Sequence, residues 1–101
     1  MIFQVTVPAM GEDVEEIRIL EWRGEPGSAF GPGDLIVEFE TYKALVEVRA
    51  AQAGVLRRVF AAAGDWVRIG APLALFSDGA EEPLPDAADQ LADMAIEFLV
   101  D

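Results

Sequence analysis

The chain contains neither cysteine nor histidine. The first absence excludes disulfides, thiol catalysis and zinc–thiolate sites. The second removes the commonest general base and metal ligand. No apolar run approaches the ~20 residues of a membrane-spanning helix. The opening residues Met1-Ile2-Phe3-Gln4-Val5 carry no basic n-region, and no Arg-rich, Ser-rich transit segment is visible. A cytoplasmic location is the expectation. Bases are scarce, with 7 against 19 acids and a net charge of −12. So acidic a surface repels nucleic acid and anionic lipid, and neither nucleic acid nor a membrane is an expected partner. It favours basic protein partners or simply solubility. Lysine is scarcest of all: Lys43 is the only one, and the other basic residues are arginines.

What is present is β pattern and turn punctuation. A length of 101 residues suits one domain, and 52% apolar residues supply a small core. Phe3 to Val7 alternates and ends at Pro8, a first strand followed by a loop over 8–13. Ile17 to Trp22 reads as a second strand. Gly24-Glu25-Pro26-Gly27 and Gly31-Pro32-Gly33-Asp34 are turns, with Phe30 a lone apolar residue between them. Leu35 to Glu40 and Ala44 to Val48 are strands on either side of a turn. Gly54 to Phe60, Trp66 to Ile69 and Leu73 to Phe76 complete the series. Short strands separated by turns indicate an all-β sandwich or barrel.

An internal repeat runs through this series. A shift of 37 positions places Gly27 on Gly64, Phe30 on Val67, Gly33 on Gly70, Ile36 on Leu73 and Phe39 on Phe76. Five coincidences in register predict two similar sheets related by an approximate two-fold axis.

After Phe76 the period changes. Residues 79–85 read as a short linker. Leu91, Met94, Ala95, Phe98 and Leu99 then fall on one stripe of a helix predicted over 86–101, which Asp86 can cap. A helix this short does not persist alone in water. It must pack on its own barrel, a second copy or a partner. The expected domain layout is therefore a barrel over 1–78, a linker over 79–85 and a C-terminal helix.

The stretch Glu40-Thr41-Tyr42-Lys43-Ala44 is the tip of the central hairpin, and it presents the single lysine. With Val7-Pro8-Ala9-Met10-Gly11-Glu12, Trp22, Gly27, Gly33-Asp34, Gly54, Gly64-Asp65, Val67, Gly70 and Leu73, it resembles the lipoyl domains of 2-oxo acid dehydrogenase acyltransferases, over roughly residues 2–78. The resemblance implies a flattened barrel of two four-stranded sheets. It implies that Lys43, flanked by Glu40, Thr41, Tyr42 and Ala44, receives lipoic acid through an amide bond. It also implies a carrier without catalytic residues of its own. The swinging arm would shuttle acyl groups and reducing equivalents. Its partners would be a lipoate ligase or octanoyltransferase, then the 2-oxo acid decarboxylase, acyltransferase and dihydrolipoyl dehydrogenase components. The reactive group belongs to the cofactor, while the protein delivers it at raised effective concentration.

Two positions depart from the family pattern. Tyr42 stands where the usual tip, Asp-Lys-Ala, has its aspartate. Gly27-Ser28 stands where Gly-Asp is usual. Tyr42 reads either as drift on an exposed turn or as a mark of an altered partner. Three other readings share these residues. A biotinyl carrier usually has Met-Lys-Met at its tip. The glycine-cleavage carrier has Glu-x-x-Lys-Ala, which this tip satisfies, but a different N-terminal region. An unmodified interaction module would use the same fold without a cofactor. A chain that closes on an amphipathic helix suggests a free-standing carrier, with the helix stripe, Phe98 and Leu99 included, as a docking face.

Overall fold

The fold is given by a computed structural model that describes residues 1–11, 13–85 and 91–100. Ten strands form among the described residues: β1 (Ile2–Thr6), β2 (Glu16–Trp22), β3 (Ala29–Phe30), β4 (Leu35–Glu40), β5 (Leu45–Ala50), β6 (Gly54–Val59), β7 (Trp66–Arg68), β8 (Pro72–Ser77), β9 (Ala92–Asp93) and β10 (Ile96–Val100). One sheet has the order β3-β6-β8-β1-β9 and the other β10-β5-β4-β2-β7. All pairings are antiparallel except that of β1 with β9.

Alternation decides which side chains fill the space between the sheets. Ile17 and Ile19 of β2 are buried, as are Val46, Val48 and Ala50 of β5. β4 departs from strict alternation, because Ile36 and Val37 are both buried. A register shift against β5 between Leu35 and Val37 turns both inward. Phe39, Phe76, Leu56 and Leu73 complete the centre, and Phe30 meets Phe76 edge to face with ring centroids 5.7 Å apart.

The repeat in the sequence is a repeat in the backbone. Gly27 N–H donates to the Leu56 carbonyl at 2.7 Å, and Gly64 N–H donates to the Ile19 carbonyl at 2.8 Å. Both donors and both acceptors are related by the same shift. Arg23 N–H to the Ile36 carbonyl and Phe60 N–H to the Leu73 carbonyl form a second such pair, each at 2.9 Å. Gly27 and Gly64 hold φ values of +102° and +93°. Apart from the glycine and its chain neighbours, no atom of the described residues lies within 4 Å of where a Cβ would sit on either. Backbone conformation, not crowding, therefore selects glycine there.

The tail corrects the sequence reading. Residues 86–90 and 101, including the expected cap Asp86, lie outside the described residues. Over the remainder no helix forms; the tail makes β9 and β10 instead. The expected four-stranded sheets thus gain a fifth strand each, β9 beside β1 and β10 beside β5. Ile96, Phe98 and Val100 alternate with Glu97 and Leu99, so the same apolar run satisfies both periods. The sheet wins for a physical reason. A lone short helix leaves its stripe uncovered, whereas β1 and β5 offer open rows of backbone donors and acceptors. Ile, Phe and Val also suit a pleated surface. The expected docking stripe dissolves with the helix. Met94 is buried, while Phe98 and Leu99 are exposed and, as strand neighbours, point to opposite faces.

Candidate functional site

β4 and β5 are joined by Thr41, Tyr42, Lys43 and Ala44. Thr41 is buried and fixes the turn from inside. Its N–H donates to the Ala44 carbonyl at 2.8 Å. Its Oγ1 accepts from the N–H groups of Lys43 and Ala44 at 3.2 and 3.1 Å. A hydroxyl that takes up turn amides in this way stabilises a tight connection. Tyr42 and Lys43 are left projecting into solvent. Glu40 is engaged by Arg18, whose Nη1 donates to its Oε1 at 3.4 Å.

The two projecting residues share one partner from another part of the chain. Lys43 Nζ donates to Asp13 Oδ2 at 2.8 Å, and the Tyr42 hydroxyl donates to the same oxygen. The ammonium also lies 5.4 Å from the centroid of the Tyr42 ring. Asp13 sits in the loop between β1 and β2. The tip therefore has a carboxylate beside its lysine although residue 42 is not acidic. The Asp13 carboxyl is lowered from 3.8 to about 2, first by the Lys43 hydrogen bond and then by that of Tyr42. Lys43 is raised, chiefly by the hydrogen bond to Asp13, so the free amine is protonated and a weak nucleophile at neutral pH. Tyr42 is raised for the same first reason.

The sign of the linkage follows. Asp13 is depressed in the folded state, so its contribution is present above pH 3.8 and is lost as pH falls toward about 2. Acylating Nζ would remove the ammonium, the larger cause. Asp13 is then expected to titrate closer to 3.8, which carboxyl-carbon NMR titration of both forms would read. A value still near 2 in the acylated form would show that Tyr42 and the backbone alone hold it.

Beside the tip runs a groove lined by Tyr42, Trp66, Asp13, Glu15 and Glu16. Trp66 reaches it through sheet register: it pairs with Arg18, which pairs with Glu40 at the foot of the tip. The structure places Thr41, Tyr42, Lys43 and Ala44 on the turn and Glu40 at the end of β4. Asp13 and Trp66 are the residues that sequence reading missed. The signal that could have found them is the pairing of β2 with both β4 and β7, which brings the start of β2 and Trp66 to the tip.

Comparison with known proteins gives the following. Residues 3–76 match the biotin/lipoyl family described as "Biotin-requiring enzyme". The chain is 35% identical over 79 residues to the dihydrolipoyllysine-residue succinyltransferase component of the 2-oxoglutarate dehydrogenase complex of Bacillus subtilis, covering 78% of this chain and 19% of that protein. It is 40% identical over 76 residues to the same component from Staphylococcus saprophyticus, covering 75% and 18%. It therefore spans less than a fifth of the length of these curated relatives. The solution structure of the lipoyl domain of the 2-oxoglutarate dehydrogenase complex from Azotobacter vinelandii is similar at a TM-score of 0.67 and 30% identity, covering 76% of this chain and 98% of that one.

Proposed function

The chain belongs to the biotin/lipoyl attachment family, and from that premise we propose that it is a lipoyl carrier whose Lys43 holds lipoic acid by an amide bond. One observation carries this reading. The only lysine of the chain stands at the exposed tip of the β4–β5 hairpin, on a turn fixed by Thr41. An amine so placed fits attachment: its side chain is exposed, and the turn beneath it is held. Lipoic acid, when bound, supplies a dithiolane able to take up acyl groups and reducing equivalents. The chain's own residues present the arm, keep the amine protonated against Asp13 until a modifying enzyme opens that pair, and surround the tip with negative charge.

The carrier works without catalytic groups of its own. Its partners are a lipoate ligase or octanoyltransferase, and the decarboxylase, acyltransferase and dihydrolipoyl dehydrogenase of a 2-oxo acid dehydrogenase complex, all in the cytoplasm. Residues 1–78 are its barrel and 79–85 a short linker to the tail strands. Intact mass of the protein from its native host, with fragmentation, tests the reading. A lipoyl or octanoyl amide on Lys43 is expected. A biotinyl amide would move the chain to the carboxylases. A bare Lys43 in a host that lipoylates its other carriers would overturn the proposal.

A further inference from the structure

Two large aromatic side chains are exposed on the lysine-bearing end, Tyr42 at 69% and Trp66 at 58%. They line one groove together with Asp13, Glu15 and Glu16. Lys43 Nζ already stands at its edge, 2.8 Å from Asp13 Oδ2 and 5.4 Å from the Tyr42 ring centroid. A chain grafted onto Nζ therefore starts beside this groove. We infer that the Tyr42–Trp66 groove is the resting place of the acylated Lys43 arm, a neutral aliphatic chain ending in a five-membered disulfide ring. The inference rests on the carrier reading.

The chemistry matches on four counts. Acylation removes the ammonium and with it the ion pair to Asp13, so the arm loses its anchor and gains apolar length. Covering exposed aromatic surface is the favourable course for such a chain in water. Sulfur also makes favourable contacts with aromatic ring edges, at ~5 Å. Six bonds from Nζ to the ring span roughly 7 Å at the reach of an extended chain, more than the 5.4 Å from Nζ to the Tyr42 ring centroid. Finally, the acidic part of the lining sorts ligands. Free lipoate, an anion, is repelled by Asp13, Glu15 and Glu16, whereas the amide-linked arm carries no charge and is admitted.

Tryptophan emission tests this, because a disulfide close to an indole quenches it. The full chain would be charged with lipoate by a lipoate ligase and ATP, and intact mass would establish complete modification of Lys43. Trp22 serves as the internal reference, half-buried with its Nε1–H donating to the Ala61 carbonyl at 2.8 Å. The lipoylated protein is expected to show a several-fold weaker Trp66 contribution than the unmodified protein, and Trp66→Phe is expected to abolish the difference. Equal emission from fully modified and unmodified protein would overturn the inference. Quenching that persists in Trp66→Phe would overturn it too, since the arm would then lie elsewhere. A Lys43 that takes no adduct fails at the mass step and brings down the carrier reading, the resting site with it.

Discussion

Lys43→Arg abolishes loading: after treatment with ligase, ATP and lipoate the variant is expected to keep its unmodified mass. Arginine retains the positive charge and the pairing with Asp13, but its guanidinium stays protonated at any accessible pH and does not act as an acyl acceptor. No second lysine can substitute. In a reconstituted 2-oxo acid dehydrogenase assay the variant should fall to the background rate. Stability should stay within about 0.5 kcal/mol, because the side chain is exposed and the turn is held by Thr41. The combination separates chemistry from folding: denaturation curves overlay while the adduct disappears. Full biological activity in Lys43→Arg would instead support an unmodified interaction module and overturn the carrier reading.

Phe76→Ala is expected to have the largest effect on stability, a loss of about 3–5 kcal/mol. Phe76 is wholly buried. It pairs with Phe3 in β1 and Leu56 in β6 and meets Phe30 edge to face. Truncation opens a cavity at the centre of one sheet, and the backbone on either side is held by ladders that cannot collapse into it. Small domains have total stabilities near the lower end of about 5–15 kcal/mol, so this loss approaches unfolding at physiological temperature. Phe39→Ala is the matched experiment, since Phe39 occupies the equivalent position in β4 and is equally buried. Urea titration of both variants gives the comparison. A loss under about 1 kcal/mol in either would mean that the two faces are not packed together as described.

Much of this architecture was legible in the sequence, because it is written in local pattern. Alternation marked the strands, and punctuation by Gly27, Gly33, Gly64 and Gly70 marked the repeat. The hairpin tip was visible because its lysine is alone of its kind. The tail was not legible. Its apolar residues satisfy a helical and an extended period at once, and the choice is made by unpaired edges on β1 and β5 that no local window contains. Asp13 and Trp66 were missed for a related reason. They lie far from Lys43 along the chain and meet its tip only through strand register. The departure at Tyr42 looks different once Asp13 is placed: an aspartate there would stand beside another carboxylate, whereas the tyrosine hydroxyl donates to it.

The direction of β10 has a practical consequence. Ile96 lies opposite Ala50, and Val100 lies opposite Val46, so the strand travels from the end remote from Lys43 back toward the hairpin tip. β1 begins at that remote end, with Ile2 beside Ser77. A purification tag, fluorophore or surface tether added after β10 would therefore crowd the approach to Lys43. A handle placed ahead of β1 would leave that approach clear, and single-molecule or immobilised work on this domain should be anchored there.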